Sequence, residues 1–232
     1  MKKIVESLAG GLIVSSQAYP GEPLREPRIM TAMAQAAVLG GAVAIRAQGL
    51  ADIELIQSTL DVPVIGLVKV GSEGVFITPR VSDCESVART GVAIVAFDGT
   101  SRPRPDGSTL TDCVAAIQSH GALALADCGS LEDADASTQA GADCVATTLA
   151  GYTGVRRRTV GPDFGLVEEL AQTCDVPVLA EGRIRSPADA VRCLELGAHA
   201  VVVGSAITHP TTITRTYANA LTAATEPGNR ID

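Results

Sequence analysis

The chain has 232 residues, of which 46% are hydrophobic, 3% are aromatic and none is Trp. This length favours one α/β domain spanning residues 1–232, whose core must be built from Ala, Val, Leu and Ile. A net charge of −8 without a basic stripe argues against a nucleic-acid partner.

The sequence also argues against a membrane or secreted protein. No apolar segment reaches the ~18 residues that a membrane-spanning helix needs, and the apolar part of residues 1–10 is too short for a signal peptide. The six Cys include no CxxC pair and have no His nearby to complete a zinc site. We therefore expect a cytoplasmic protein with reduced, mostly buried thiols and no bound metal.

Short apolar runs alternate with Ala-rich stretches of helical spacing along the chain. The runs predict eight strands, at residues 11–15, 42–46, 64–69, 92–98, 122–127, 144–149, 178–181 and 200–204. The stretches between and after them predict helices near residues 28–39, 51–59, 82–90, 108–119, 131–140, 163–173, 187–196 and 211–223. Residues 226–232 are expected to form a polar tail.

Eight strand–helix units of about 29 residues each predict a (β/α)8 (TIM) barrel of the phosphate-binding type. The competing fold is an open, doubly wound sheet, which would carry a Gly-rich GxGxxG turn after the first strand. Here Ser16 and Gln17 follow that strand, so the barrel is favoured. Ser186 before Pro187 marks a helix start, and Gly at several helix ends marks the stops.

Polar residues collect where the predicted strands end, which is the functional face of such a barrel. Any one of them alone could be a solvated strand end. A polar or charged residue at nearly every strand end instead predicts a shared cavity. In chain order these residues are Gln17, Arg46, Lys69, Asp98, Asp127, Thr147, Thr148 and Glu181.

Lys69 is the sharpest of these signals, because the chain has 15 Arg but only three Lys. The other two, Lys2 and Lys3, stand at the start of the chain. Arg is effectively always protonated, whereas a desolvated Lys can lose its proton. Lys69 is therefore a candidate catalytic amine, either a general base or a Schiff-base nucleophile, and the alternative is a Lys that only contacts phosphate.

Glu181 precedes a Gly182-Arg183 turn and could act as an acid or base, orient a sugar hydroxyl, or pair with Arg183 or Arg46. Barrels of this kind often hold phosphate on the loops after strands seven and eight. The candidate phosphate-binding residues are accordingly Gly182, Arg183, Gly204, Ser205 and His209.

The loop at residues 100–107 carries two Pro and two Arg. It could close over an anionic ligand, or it could be a rigid surface connection held by Arg–carboxylate pairs. Asp98 could hold this loop instead of serving the cavity. His120 and His199 do not cluster with other candidates and are expected to be structural.

Taken in order, the motifs of the chain resemble those of the N-acetylmannosamine-6-phosphate 2-epimerase family from about residue 10 to residue 221. The matching motifs are Ser-Ser-Gln-Ala (15–18), Pro-Gly-Glu-Pro-Leu (20–24), Ile-Arg-Ala-Gln-Gly (45–49), Phe-Ile-Thr-Pro (76–79), Arg-Pro-Asp-Gly (104–107), Thr-Thr-Leu-Ala-Gly-Tyr-Thr (147–153), Ala-Glu-Gly-Arg-Ile (180–184) and Gly-Ala-His-Ala-Val-Val-Val-Gly-Ser-Ala-Ile-Thr (197–208).

The resemblance implies an isomerase that interconverts N-acetylmannosamine 6-phosphate and N-acetylglucosamine 6-phosphate in amino-sugar and sialic acid breakdown. It implies a phosphorylated N-acetylhexosamine substrate, no organic cofactor, no required metal and a homodimer. Lys69 would move the proton at carbon 2, and Glu181 would assist at the sugar ring. Four further residues would contact the substrate or orient the catalytic groups: Gln17, Arg46, Asp127 and Thr148.

Three positions depart from the family pattern. His209 stands where Arg is usual, and Gln48 stands where Asn is typical. The stretch 70–74 after Lys69 is short and lacks the common Arg-Asp-Tyr. The sequence leaves two alternative functions open. One is a Schiff-base aldolase-type lyase that uses Lys69, and the other is a non-catalytic barrel that binds a sugar phosphate.

Overall fold

The computed structural model of the protein describes residues 2–225, so that Met1 and the expected tail at 226–232 lie outside the described residues. Eight parallel strands close into a barrel in which each strand pairs with the next and β8 pairs with β1. This arrangement confirms the expected (β/α)8 fold. The strands are β1 (Leu12–Ser16), β2 (Ala44–Gln48), β3 (Val64–Leu67), β4 (Ile94–Asp98), β5 (Leu123–Asp127), β6 (Cys144–Ala146), β7 (Val178–Glu181) and β8 (Ala200–Val203).

In the described residues, one helix connects each strand to the next around the outside of this barrel, one further helix precedes β1, and two follow β8. They are α1 (Lys2–Ser7), α2 (Pro27–Leu39), α3 (Leu50–Thr59), α4 (Val81–Ala88), α5 (Leu110–Gln118), α6 (Leu131–Gln139), α7 (Phe164–Thr173), α8 (Pro187–Glu195), α9 (Ser205–Thr208) and α10 (Pro210–Thr225). The first seven predicted helices are confirmed within two residues at each end. The eighth predicted helix is confirmed to the same precision as α10, whereas the short helices α1 and α9 were not predicted.

The start of the chain closes the amino-terminal end of the barrel. Leu8 is fully buried, and Ile4 and Val5 pack against the inner core. His199, which precedes β8, has its Nε2 2.8 Å from the carbonyl oxygen of Val5. The expected structural role of His199 is therefore confirmed.

The alternation of side chains along each strand decides which residues face the barrel interior. Ala44, Leu125 and Leu179 belong to the inner core cluster, whereas Ile45 and Ala126 belong to the cluster between the strands and the helices. Two residues further along each of these three strands, the same inward direction places Arg46, Asp127 and Glu181. The sheet geometry therefore collects these charged residues at the carboxyl end of the barrel.

The loop at residues 100–107 is a rigid connection held by Asp98. The Asp98 carboxylate is fully buried, accepts a hydrogen bond from Arg102 Nη2 at 2.7 Å, and accepts further ones from Thr100. Arg104 donates to the carbonyl oxygen of Asp98. Of the two roles left open for this loop, the structure favours the surface connection.

The six Cys, all within the described residues, are free, and five of them are buried. In residues 2–225, none of the helices is both long enough and apolar enough to cross a bilayer.

Replacement of Ser186 by Ala tests the helix start predicted at α8. Ser186 Oγ accepts a hydrogen bond from the Asp189 amide at 3.1 Å, and the Asp189 carboxylate accepts one from the Ser186 amide at 3.0 Å. Loss of such a capping box costs about 1 kcal/mol. In a domain of this size we expect the melting temperature, followed by circular dichroism, to fall by roughly 2–4 °C.

The control for this comparison is Ser58→Ala. Ser58 lies inside α3, and its exposed hydroxyl donates to the carbonyl oxygen of Leu55 within the same helix. We expect a much smaller change in melting temperature for this variant. Equal losses for the two variants would show that the capping box does not stabilise α8.

Candidate functional site

A cavity of about 470 Å³ opens at the carboxyl ends of the strands. Its volume is within the range of roughly 300–1,000 Å³ typical of small-molecule sites. Most of the predicted site residues line it, namely Gln17, Lys69, Thr148, Glu181, Gly182, Arg183, Gly204, Ser205 and His209. The other two, Arg46 and Asp127, are buried and contact two of the lining residues, Thr148 and Glu181.

Arg46 is the centre of a buried charge network that links three strands. Its Nη1 and Nη2 atoms donate to the two carboxylate oxygens of Asp127 at 3.1 and 2.6 Å. Nη1 also lies 3.2 Å from Glu181 Oε2. Burial alone would lower the pKa of Arg46, but the two carboxylates raise it above its ordinary value, so the guanidinium stays charged.

Two threonines of the segment after β6 fix Glu181 from the other side. Thr148 Oγ1 donates to Asp127 Oδ1 at 2.6 Å and lies 3.2 Å from Glu181 Oε2. Thr147 Oγ1 accepts a hydrogen bond from the Glu181 amide at 3.0 Å. The backbone and one carboxylate oxygen of Glu181 are thus both held in place.

Glu181 has an unusual proton affinity for a carboxyl group. Burial raises the pKa of Glu181 to about 7, although the nearby Arg46 guanidinium acts in the opposite direction. The Asp127 carboxylate adds to the increase. Glu181 can therefore take up and release a proton near neutral pH.

Lys69 lies in a short hairpin and not in a strand. The sequence predicted a strand through residue 69, but β3 ends at Leu67, and Lys69 then pairs antiparallel with Ile77. The Val70 amide donates to the Phe76 carbonyl oxygen at 2.9 Å. The short stretch after Lys69 thus leads into the exposed tip of this hairpin, and the hairpin holds Lys69 at the cavity wall.

The Lys69 amine is poised to lose its proton. Its Nζ atom donates to Gln17 Oε1 at 2.7 Å, and Gln17 Nε2 in turn donates to Ser15 Oγ. Burial lowers the pKa of Lys69 to about 8, and the positive charge of Arg46 contributes to this decrease. At pH 7.5 roughly a quarter of the molecules would carry a neutral amine.

The segment after β7 has a backbone that glycine favours. Gly182 has a φ of 114°, in the left-handed region, and a residue with a side chain would be strained there. The guanidinium of Arg183 donates to the carbonyl oxygens of Gly161 and Ala150 and to Thr159 Oγ1, at 2.8–3.0 Å. Three of its five N–H groups therefore fasten neighbouring loops.

His209 also has protein partners on both ring nitrogens. Its Nε2 lies 2.6 Å from Glu22 Oε1, and its Nδ1 lies 2.5 Å from Thr212 Oγ1. The ring meets that of Tyr19 edge to face, with 5.3 Å between centroids. Tyr19 and Glu22 were not among the predicted site residues, although Tyr19 is one of only three Tyr and follows the Ser15–Gln17 motif.

The chain is similar to proteins of one family over nearly its whole length. A family model described as NanE, "Putative N-acetylmannosamine-6-phosphate epimerase", matches residues 30–223. A relative from Cutibacterium acnes, named "Putative N-acetylmannosamine-6-phosphate 2-epimerase", is 50% identical over 94% of this chain and 97% of the relative. A relative of the same name from Corynebacterium glutamicum is 46% identical over 94% of this chain and 96% of its own length.

Solved structures agree with this similarity. The N-acetylmannosamine-6-phosphate 2-epimerase from Clostridium perfringens superposes with a TM-score of 0.90 at 41% identity, covering 93% of this chain and 95% of that one. The thiamine phosphate pyrophosphorylase from Pyrococcus furiosus has a TM-score of 0.59 at 18% identity over 88% of this chain and 89% of its own. The second comparison shows the fold alone.

Direct titration of Lys69 tests the electrostatics of the cavity. Because the chain has only three Lys, labelling with [13Cε]lysine gives a spectrum simple enough to follow by NMR, and Lys69→Met assigns the signal. We expect a midpoint near pH 8 for Lys69. In Glu181→Gln the midpoint should fall further, because the Glu181 carboxylate raises the pKa of Lys69. A midpoint near the ordinary value of about 10.4 would instead show a solvated amine.

Proposed function

The chain belongs to the family of N-acetylmannosamine-6-phosphate epimerases, and we propose that its cavity interconverts N-acetylmannosamine 6-phosphate and N-acetylglucosamine 6-phosphate. Viewed from the second sugar, this is the reaction of an N-acylglucosamine-6-phosphate 2-epimerase. One observation is the main support for placing this proton-transfer reaction in the cavity. An amine with a pKa of about 8 and a carboxyl with a pKa of about 7 line the same cavity.

Inversion at carbon 2 requires the removal of a proton that is acidic only beside a carbonyl group. The sugar therefore reacts in its open-chain aldehyde form. Neutral Lys69 takes the proton from carbon 2, and the electron pair of the broken C–H bond forms an enolate with the carbonyl group. Return of a proton to the opposite face gives the epimer, so the reaction needs neither a redox partner nor an organic cofactor.

Glu181 is the group that we assign to the oxygens of the sugar. In its protonated form it donates a proton to the ring oxygen during opening and takes up the proton that leaves the oxygen 1 hydroxyl. Protonated again, it donates a hydrogen bond to oxygen 1 and stabilises the charge that develops there in the enolate. Arg46 and Thr148 both contact Oε2, so Oε1 is the oxygen assigned to the substrate. Asp127 is fully buried and is engaged by both Arg46 and Thr148, so its role is to orient Glu181.

The remaining site residues bind the substrate or hold the catalytic groups. Gln17 orients the Lys69 amine through its 2.7 Å hydrogen bond. The sugar's phosphate lies against the backbone of Gly182-Arg183 and Gly204-Ser205, where a Cβ on Gly204 would meet the Ser15 Cβ at 3.3 Å. His209 stands at the same wall of the cavity in place of the usual Arg, where Glu22 and Thr212 hold its ring.

The assembly and the setting of the enzyme belong to the same proposal. Two copies of the chain form a homodimer that acts in the cytoplasm. There it serves the breakdown of sialic acid and other amino sugars, and it binds no metal. Six free cysteines are compatible with a reducing compartment.

Incubation with N-acetylmannosamine 6-phosphate in deuterated water, followed by proton NMR, tests the reaction. We expect the glucosamine epimer to appear with deuterium at carbon 2. Lys69→Arg should lower the rate by roughly 10²–10⁴-fold, because it removes a group that can be neutral near pH 8. The exposed Lys3 provides the matched control, and Lys3→Arg should keep the wild-type rate.

Two outcomes would contradict this mechanism. Near-normal turnover by Lys69→Arg would show that the amine is not the base. A covalent adduct between Lys69 and the sugar, trapped with borohydride, would point to Schiff-base chemistry and a lyase.

The pH dependence of kcat/KM tests the roles of both groups. Lys69 must be neutral and Glu181 must be protonated, so the profile should be bell-shaped, with flanks near pH 7 and 8. Activity falls on the acid side because Lys69 is protonated, and it falls on the alkaline side because Glu181 has lost its proton. A profile that rises to a plateau above pH 8 would show that Glu181 does not act as an acid.

A further inference from the structure

Two of the six cysteines lie side by side, away from the substrate cavity. Cys84 is near the start of α4, and Cys113 is near the start of α5. Both are fully buried in the core between the strands and the helices, and their thiol groups are hydrogen-bonded to each other. Contact between two thiols is the first requirement for a disulfide.

The Cys113 sulfur is surrounded by groups that favour a negative charge. Arg104 Nε donates to it at 3.4 Å, and Ser108 Oγ lies 3.8 Å away. The start of a helix also favours an anion, because the helix dipole is positive there. The hydrogen bonds from Cys84 and Arg104 lower the pKa of Cys113 to about 6, although burial acts in the opposite direction. At neutral pH this sulfur is therefore mostly a thiolate.

Cys84 has the opposite character. Its hydrogen bond to Cys113 and its burial raise the pKa of Cys84 far above its ordinary value, and Asp83 adds to the increase. The Cys84 thiol also lies 3.8 Å from the Thr78 carbonyl oxygen, to which it donates. A thiolate beside a neutral thiol is an arrangement in which one sulfur reacts with an oxidant and the other then forms a disulfide with it.

A second cavity, of about 590 Å³, gives a small oxidant a route to Cys113. It lies over the loop at residues 100–107 and the start of α5. Arg104 and Ser108 line this cavity, and both contact the Cys113 sulfur. The sulfur is therefore one side chain away from the cavity, and hydrogen peroxide needs only a rotation of the Ser108 hydroxyl to reach it.

We propose that Cys113 and Cys84 form a disulfide in response to peroxide, and that this bond alters the hairpin that holds Lys69. The Cys113 thiolate attacks one peroxide oxygen, the O–O bond breaks, and the leaving hydroxide takes a proton from solvent to form water. Cys113 is then a sulfenic acid. The Cys84 sulfur attacks the Cys113 sulfur, and the Cys84 proton leaves with the sulfenic hydroxyl as a second water. A thiol reductant reverses the oxidation.

Thr78 connects the two thiols with Lys69. The Thr78 amide donates to the Val68 carbonyl oxygen at 2.7 Å, and the Val68 amide donates to the Thr78 hydroxyl at 3.2 Å. Val68 is the neighbour of Lys69 in the chain. Thr78 has a φ of 41°, which is uncommon for a β-branched residue, so its conformation depends on the contacts around it. In the disulfide, Cys84 has no S–H to donate, and the Thr78 carbonyl oxygen loses this contact.

Peptide mapping of the wild-type chain is the first test, and it needs no substrate, so that its result is independent of the epimerase reaction. The full chain is treated with hydrogen peroxide, the remaining thiols are alkylated under denaturing conditions, and the digest is analysed by mass spectrometry. We expect two peptides joined through Cys84 and Cys113, with reversal by dithiothreitol. If both thiols stay free, or if they join other cysteines, the proposal is overturned.

Cys174 is the internal control for reactivity. It is partly exposed, whereas the other five cysteines are buried, and desolvation raises the pKa of Cys174. Exposure alone would make Cys174 the first thiol to be oxidised. We expect instead that Cys113 is consumed faster by about threefold or more, because it is a thiolate, and that this difference disappears in urea. Faster oxidation of Cys174 in the folded chain would overturn the proposal.

The variants Cys84→Ser and Cys113→Ser separate the roles of the two sulfurs. In Cys84→Ser the sulfenic acid has no partner, so dimedone should label residue 113, whereas the wild-type chain should give the disulfide instead. In Cys113→Ser we expect Cys84 to stay reduced. Melting temperatures show whether each variant is folded, and the wild-type mapping stands without them. Strong dimedone labelling of the wild-type Cys113 would show that Cys84 does not form the disulfide.

The NMR signal of [13Cε]Lys69 tests the connection to the hairpin without any turnover. We expect the signal to shift after peroxide treatment and to return after dithiothreitol. Cys174→Ser should keep this response, and Cys113→Ser should abolish it. An unchanged Lys69 signal in a chain shown to contain the disulfide would overturn the proposed effect on the hairpin.

Discussion

The buried guanidinium of Arg46 is the interaction on which the site depends. A charge removed from water must be compensated, and Asp127 provides this with two hydrogen bonds while Glu181 provides a third contact. These three residues come from β2, β5 and β7, so the network links strands that are not neighbours in the sheet. The barrel must close correctly before Arg46 can be satisfied. The same contacts then hold the Glu181 carboxylate at the floor of the cavity.

Burial affects the two proposed catalytic groups in opposite directions. It raises the pKa of Glu181 because the carboxylate is the charged form of an acid, and it lowers the pKa of Lys69 because the ammonium is the charged form of a base. Arg46 lowers both pKa values through its fixed positive charge. The result is a pair of groups that titrate within about one unit of each other near neutral pH. A reaction that moves protons on and off a sugar uses groups of this kind.

The wall of the cavity also connects the site with the periphery of the molecule. His209 lines the cavity, contacts Glu22 in the loop after β1, and forms the junction between α9 and α10. His209 therefore belongs both to the wall of the cavity and to the connection between the last two helices.

The sequence by itself determined the eight strands, the eight helices predicted after them, and the collection of polar residues near the strand ends. Those features follow from local periodicity, since side chains alternate along a strand and Ala44, Leu125 and Leu179 set the direction of Arg46, Asp127 and Glu181. The special position of Lys69 was also visible, because Lys is rare in a chain that otherwise uses Arg.

Only the tertiary structure showed that β3 ends before Lys69 and that Arg183 and His209 hold other parts of the protein. It alone showed that none of the residues of α10 is buried. The physical reason is that partners such as Glu22 and His209 are 187 residues apart in sequence. Choices between such partners, and the pKa values that burial produces, exist only after the chain has folded around them.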